Sequence, residues 1–236
     1  MKQGRVNKIA ITSTASYGGY LHWMSHYAQS PLSAIHGYLD MLGDTSYRKL
    51  HPTIIRDAQT AAERAQHVMR SIALAQKHYN ASAELSPGRL DELFARLSAA
   101  TGIRFVGLRK RPLPLVMVGY DALSEGLLLM VRQFTQPNAR RVVVRFEQRK
   151  TDLIVHLDWQ RVNREQYEYL CQLTRLGSDR YPLAPGEFMS LATGFVLLRS
   201  AGARMVTRQH VRRRSVHLHL AIIQQMSLVD VSAELR

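Results

Sequence analysis

One histidine, His26, lies off the apolar repeat of the first long amphipathic segment. Apolar residues recur there at spacings of three and four, which predicts the seam of a coiled coil or an antiparallel helix bundle. At about 100° per residue, His26 lies roughly 200° from Met24 and from Ala28, so its imidazole should face water. A solvated imidazole on a rigid helix is placed for chemistry on a macromolecular partner. The predicted seam consists of Tyr17, Leu21, Met24, Ala28, Leu32, Ile35, Leu39 and Leu42.

The residues around His26 resemble the phosphoacceptor segment of two-component histidine kinases, commonly FLxxMSHExRTPLxAIxGYxxLL. The resemblance implies that His26 accepts a phosphoryl group and that the helix continues, with a bend, through Pro31. Two residues depart from the pattern, since Tyr27 replaces the acidic residue after the histidine and Gln29 replaces the usual arginine. The matching residues are Tyr20, Leu21, Met24, Ser25, His26, Ser30, Pro31, Leu32, Ala34, Ile35, Gly37, Tyr38, Met41 and Leu42.

Two helices joined by a short turn are expected in the N-terminal part. The first is predicted over 16–43, after a weakly structured lead of residues 1–15, and the second from near Pro52 to about Tyr79. The sequence Gly-Asp-Thr-Ser at 43–46 is a stop and turn signal. Such a hairpin buries one stripe per helix, which predicts a homodimeric four-helix bundle. The expected stripe of the second helix is Ile55, Ala58, Ala62, Ala65, Val68 or Met69, Ile72 and Ala75.

A polar segment with a proline and a glycine, 80–88, predicts a linker between two domains, 1–83 and 84–236. The second domain is expected to be an α/β sandwich with helices on one face of a mixed sheet. The fold class is therefore α+β, a long antiparallel helical hairpin followed by the sandwich. The predicted elements are helices at Leu90–Ala100, Asp121–Phe134, Arg164–Leu173 and Phe188–Ala201, and strands at Ile103–Leu108, Leu115–Gly119, Arg141–Gln148, Leu153–Trp159, Arg204–Gln209 and Ser215–Ile222.

This order of elements resembles the ATP-binding domain of histidine kinases, the GHKL fold. The magnesium-binding asparagine of that family falls on Met130, whose thioether is a poor ligand for a hard cation. Asp158 keeps the aspartate of the family's DxGxG motif, but both glycines are absent. The glycine-rich phosphate loop retains one glycine, Gly194. The resemblance thus implies a degenerate GHKL-type domain that does not bind ATP.

The composition restricts the class of protein. The chain has 236 residues, of which 46% are hydrophobic, so it can hold one or two domains with a real core. The sequence contains no run of about 18 apolar residues, so no membrane span is expected. Its first residues contain no long apolar stretch, so no signal peptide is expected. The single cysteine, Cys171, excludes an internal disulfide and suits a reducing compartment, so a cytoplasmic protein is expected.

The histidines other than His26 lack a comparable sequence context. No set of His, Cys, Asp and Glu has a recognisable metal-ligand spacing. His217 and His219 alternate with apolar residues, so they are expected to line the solvent face of a strand.

The formal net charge of +14 has two interpretations. One is nucleic-acid binding through phosphate neutralisation. The other is attraction to an acidic protein surface, such as the phosphorylation pocket of a receiver domain. No helix-turn-helix, zinc-finger or RNA-recognition motif is visible, which favours the second interpretation.

The predicted function is histidine phosphotransfer in a two-component phosphorelay. His26 would take a phosphoryl group from an aspartyl phosphate of one receiver domain and pass it to the aspartate of another. By resemblance, the receiver domain supplies the magnesium ion, so no cofactor is expected on this chain. Ser30, about 40° from His26 around the helix, would by resemblance orient a water or make a polar contact. The expected docking residues on the same face are His22, Gln29 and Ser33.

Two other classes of function stay open at this stage. A pseudokinase would bind a response regulator or a kinase and regulate it without transferring a phosphoryl group, with His26 a relic. A basic nucleic-acid-binding regulator would rest on the charge alone. Whether the chain is an enzyme is left open, but ATP-dependent kinase activity is not expected.

Overall fold

Two long helices form the N-terminal part of the protein. The computed structural model describes residues 7–81, 85–107, 113–135, 141–159, 162–176, 188–210 and 213–223. Helix α1 spans Asn7–Gly43, a 3-10 turn spans Thr45–Leu50, and helix α2 spans His51–Ala81. The weakly structured lead was a wrong prediction for residues 7–15, because extending a helix adds a hydrogen bond per residue without a new nucleus. Helix α1 continues through Pro31, as the resemblance implies.

Asp44 closes the turn between the two helices. Its Oδ1 accepts a hydrogen bond from the backbone N–H of Ser46 at 2.8 Å. This contact is an N-cap, which satisfies a donor that the first turn leaves without a helical partner. The same hydrogen bonds from Ser46 lower the pKa of Asp44. The 3-10 turn then leads directly into α2, so the two helices run antiparallel.

Only part of the predicted seam of α1 is buried within one chain. Near its middle, α1 buries Met24 of the predicted seam and also Tyr20 and Trp23, which the sequence did not assign to the seam. Farther along, Leu32 is 55% exposed and Leu39 is 60% exposed. The apolar side of α1 is therefore buried near the second domain and exposed toward the turn.

Helix α2 buries Val68 and Ala75 as predicted, but Ile54 and Ala61 in place of Ile55 and Ala62. These four buried apolar residues follow a strict seven-residue repeat. Ile55 and Met69, which the sequence placed in the stripe, are exposed. Adjacent residues lie about 100° apart on a helix, so this shift turns a second apolar stripe away from α1.

The second domain contains four more helices and seven strands among the described residues. Five strands form a mixed sheet in the order β2-β4-β5-β7-β6, in which β2 and β4 are parallel and the other pairs are antiparallel. The elements are β1 Ser86–Gly88, α3 Leu90–Thr101, β2 Arg104–Val106, β3 Val116–Val118, α4 Tyr120–Phe134, β4 Arg141–Gln148, β5 Asp152–Trp159, α5 Arg164–Leu176, α6 Met189–Ser200, β6 Arg204–His210 and β7 Arg213–Ala221.

The polar segment predicted as a linker is partly structured. Within it, Ser86–Gly88 forms β1, which pairs antiparallel with β3 outside the main sheet. A Cβ on Gly88 would lie 2.9 Å from Cγ2 of Val118, so the small residue permits this close pairing. These three residues therefore form a strand that the sequence pattern did not predict.

Alternation along the strands gives the main sheet one face toward the helices and one open face. On β5, Leu153, Val155 and Leu157 are buried in the core that the sheet shares with the helices. His156 lies between Val155 and Leu157, and Asp158 follows Leu157, so both side chains point to the open face. The predicted fold class, a helical hairpin followed by an α/β domain with a mixed sheet, is confirmed.

Candidate functional site

The imidazole of His26 is exposed on the middle of α1, as its helical position predicts. The turn before it is anchored, since Trp23 and Met24 are buried. The ring of Trp23 contacts the ring of Tyr27 with centroids 4.5 Å apart. The chain thus holds the backbone of His26 between packed aromatic residues while it leaves the imidazole in solvent.

The hydroxyl of Tyr20 links α1 to α2 and to α6. It lies 2.9 Å from Oγ1 of Thr193 and donates to the backbone carbonyl of Ser71 at 3.3 Å. Oγ1 of Thr193 also lies 2.9 Å from the backbone carbonyl oxygen of Met189, so the two hydroxyl protons serve two of these three contacts at a time. These buried hydrogen bonds fix the helix that carries His26 relative to the second domain.

His22 lies directly beside His26. Their Nε2 atoms are 3.3 Å apart, and their rings meet edge to face with centroids 4.7 Å apart. Ser25 donates its hydroxyl to the backbone carbonyl of His22 at 2.7 Å. The sequence analysis named His22 only as a docking residue, although the four-residue spacing already indicates that the two side chains can meet.

The other predicted docking residues share the exposed side of α1. Gln29, Ser30 and Ser33 are all exposed. Ser30 also lines a cavity of 220 Å³ between α1 and α2, together with Asp57 and Arg64 of α2. The structure thus gathers the predicted residues on one helix face without assigning a role to any of them.

The three positions that the resemblance aligns with nucleotide-contacting residues do not form one site. Met130 is fully buried on α4, beside Gly194 of α6. A Cβ on Gly194 would lie 3.0 Å from the backbone oxygen of Gly126 and 3.7 Å from the backbone nitrogen of Met130. Asp158 instead points to the open face of the sheet, where its Oδ2 accepts a hydrogen bond from Arg145 at 2.7 Å. Helices α4 and α6 are therefore in direct contact where the two aligned positions meet.

One of the histidines that were predicted to be solvated, His217, lies on the open face of the sheet but is buried there. His217 is only 7% exposed, because Nδ1 of His156 lies 3.2 Å from its Nε2 and the hydroxyl of Ser215 lies 3.1 Å from the same atom. Burial first, and then the charge of His156, lower the pKa of His217 to about 4. His219 on the same face is half-buried, so the predicted strand face is right for both histidines, but His217 is not solvated.

Two further sequence predictions can be compared with the described part of the chain. Within those residues, no helix is both long enough and apolar enough to cross a membrane. Among the same residues, no group of three or more His, Cys, Asp or Glu side chains could hold a metal ion. Three consecutive basic residues, Arg109, Lys110 and Arg111, lie outside the described residues.

The fold is histidine-kinase-like: a helical hairpin that carries an exposed histidine, followed by an α/β domain with a mixed sheet. Among solved structures, the chain is similar to histidine kinase AdeS of Acinetobacter baumannii, with a TM-score of 0.52 and 10% sequence identity over 84% of this chain and 98% of that chain. This similarity confirms the predicted resemblance at the level of the fold. No protein-family model matches the sequence, and no curated protein matches it.

Two other solved structures are similar over much of this chain. One is a bacterial phosphotransferase, with a TM-score of 0.38 and 14% identity over 92% of this chain and 98% of that chain. The other is histidine kinase ThkA in complex with the response regulator protein TrrA, with a TM-score of 0.48 and 11% identity over 88% of this chain and 62% of that chain.

Proposed function

We propose that this protein is a histidine phosphotransferase of a two-component phosphorelay, with His26 as the phosphoacceptor. The observation that carries the proposal is the exposed imidazole of His26 on a helix that is anchored one turn earlier. In the first step a ring nitrogen of His26 attacks the phosphorus of an aspartyl phosphate. The phosphorus–oxygen bond to the aspartate breaks, the carboxylate leaves, and the imidazole releases a proton to water. The second step reverses this chemistry on the aspartate of another receiver domain.

The surroundings of the aligned nucleotide positions support transfer without ATP. Met130 offers no hard oxygen ligand for magnesium. Gly126 and Gly194 bring α4 and α6 into contact beside it. Asp158 is already paired with Arg145. The magnesium ion that phosphoryl transfer needs would be held by the partner's receiver domain.

Exposed apolar side chains on the hairpin support a homodimer. Leu32 and Leu39 of α1 and Ile55 and Met69 of α2 are large, apolar and exposed. Packing a second hairpin against them would remove this surface from water, at about 25 cal/mol per Å² of apolar area. The product would be a four-helix bundle with one His26 on each chain.

The expected partners are receiver domains of response regulators or hybrid kinases. Docking would use the face of α1 that carries His22, Gln29 and Ser33, all exposed. The net charge of +14 would attract an acidic phosphorylation pocket and speed the encounter.

Phosphoryl transfer from a labelled receiver domain tests the proposal. Each receiver encoded in the same genome is phosphorylated, freed of small-molecule donor and mixed with the wild-type chain, the His26→Ala variant or the His67→Ala variant. Label should pass to the wild type and to the variant of His67, which is exposed on α2. It should not pass to His26→Ala. Labelled ATP should give no phosphorylated protein in any of the three.

The other classes of function give different results in this experiment. Equal labelling of His26→Ala would show that the phosphoacceptor is wrong. Binding of a receiver without label transfer from any receiver would favour the regulatory pseudokinase. Binding to DNA with a steep dependence on salt, and no binding to any receiver, would favour the nucleic-acid-binding regulator.

A further inference from the structure

His22 and His26 form a pair of imidazoles on the exposed side of α1. They are four residues apart, so one turn of helix places both on the same face. Their Nε2 atoms lie 3.3 Å apart. Two unprotonated nitrogens at this distance would direct their lone pairs at each other. One imidazole in its Nε2–H tautomer can donate to the other, and a metal ion that both nitrogens coordinate would replace that proton.

We infer that His22 and His26 together bind a divalent transition-metal ion of the zinc type. In a tetrahedral site with Zn–N bonds of about 2.0–2.1 Å, two nitrogen ligands lie about 3.3–3.4 Å apart. The Nε2 atoms match this separation. Two histidines spaced by four on one helix face are also the arrangement through which helical zinc sites hold the metal. The remaining two ligand positions are open to water or to a group from a partner.

A second histidine pair has a similar separation but a different environment. Nδ1 of His156 lies 3.2 Å from Nε2 of His217. That Nε2 also meets the hydroxyl of Ser215 at 3.1 Å, and Nε2 of His156 lies 3.3 Å from Oε2 of Glu147. A metal ion there would displace the serine contact and place charge in a buried position, which is costly. The exposed pair on α1 is therefore the better metal site.

Metal binding would block the nucleophile of the proposed function. Coordination uses the lone pair of Nε2 of His26, the ring nitrogen farthest from the backbone. The metal-bound and phosphorylated forms of that nitrogen therefore exclude each other, and free zinc would lower the rate of phosphotransfer. Magnesium prefers oxygen ligands, so the ion on the receiver domain would not compete for this site. This consequence rests on the proposed function, whereas the binding of the metal does not.

Titration calorimetry with zinc chloride on the tag-free full chain tests the site. The wild type should bind one zinc ion per chain. Two ligands on one chain bind the metal more tightly than one, because the second ligand is held at a high effective concentration. His22→Ala and His26→Ala should therefore each weaken binding about 100-fold. His67→Ala, on the exposed face of α2, and His156→Ala should leave the affinity unchanged. Circular dichroism would verify that each variant is folded.

Three results would overturn the inference: no zinc binding by the wild type, unchanged binding by His22→Ala, or loss of binding in His156→Ala. Modification of His26 by diethylpyrocarbonate, measured by mass spectrometry, gives a second readout. Zinc should slow this modification in the wild type and not in His22→Ala. If zinc binds as expected but no receiver labels His26, the metal site stands and the proposed function fails.

Discussion

The hydroxyl of Tyr20 lies 2.9 Å from the hydroxyl of Thr193, and both residues are buried. Tyr20 belongs to α1, six residues before His26, and Thr193 precedes Gly194 on α6. The contact therefore joins the helix that carries His26 to α6 of the second domain.

Replacing Tyr20 with phenylalanine should destabilise the protein. The variant keeps the ring but leaves the carbonyl of Ser71 and the hydroxyl of Thr193 without this partner. Losing a partner in a buried site costs about 1–3 kcal/mol, which urea denaturation would measure as a lower free energy of unfolding. Tyr47→Phe, in the exposed 3-10 turn, is the matched control and should change this energy little. Equal effects of the two variants would contradict the structural role of the Tyr20 hydroxyl.

Replacing Gly126 with alanine should weaken the contact between α4 and α6. The new Cβ would lie 2.9 Å from Cγ of Leu198 and 3.0 Å from the backbone oxygen of Gly194. Overpacking of this kind costs about 1–3 kcal/mol of stability. The same substitution at Gly37 of α1 meets no atom within 4 Å. Since alanine favours a helix, Gly37→Ala should instead stabilise by about 0.5–1 kcal/mol.

Thermal and urea unfolding of the two glycine variants would measure these opposite changes. A shift in the same direction for both would show that helix propensity outweighs the contact at Gly126. Preserved stability of Gly126→Ala would mean that α4 and α6 can separate without cost.

Stability should fall as the pH is lowered from 6.5 toward 4, because of His217. Its pKa of about 4 in the folded protein is below the ordinary histidine pKa of 6.5. Between these values the unfolded chain binds a proton that the folded chain does not, so acid favours unfolding. The full difference corresponds to about 3 kcal/mol, lost progressively over this range.

The variant His217→Gln tests the assignment of this pH dependence. Glutamine does not titrate, so the free energy of unfolding should change less between pH 7 and pH 4.5 than it does in the wild type. The other charged groups around His217, which are His156, Asp158, Arg208 and His219, are common to both proteins. His67→Gln, at an exposed position, should keep the wild-type slope. A wild-type slope in His217→Gln would refute the assignment.

Replacing Leu39 with aspartate should turn the expected dimer into a monomer. The side chain is 60% exposed in the single chain, so the substitution disturbs few contacts within the chain. In a four-helix bundle it would place a charge in the apolar interface, which is strongly unfavourable. Sedimentation at micromolar concentration would measure the change in mass. Leu115→Asp, at an exposed leucine of the second domain, should remain dimeric, and a monomeric wild type would refute the bundle.

Elements with a strong local pattern were predictable from the sequence. Strand β4 spans Arg141–Gln148, as predicted, and its alternate apolar residues Val142, Val144 and Phe146 are the buried ones. The exposed position of His26 followed from its angle to the apolar repeat. In both cases the spacing along one element determines which side faces the core.

Other features depend on contacts between distant parts of the chain. Strand β1 has only three residues, one of which is a proline, and it forms because β3 pairs with it. The buried stripe of α2 starts at Ile54 rather than Ile55, since two apolar stripes are present and tertiary packing selects one. His217 was wrongly assigned to solvent because His156, on a neighbouring strand, covers it. A sequence pattern does not contain this cross-strand contact.

The positive charge of the protein also affects the edge of the main sheet at strand β6. Strand β6, seven residues long, is the last strand of the main sheet in the described part of the chain, and such an edge can add a strand from another molecule. Arg204 and Arg208 are exposed along this strand. When two such edges approach, their arginines repel each other before the backbones can pair. The basic surface thus protects the folded protein against aggregation, a benefit that is independent of any acidic partner.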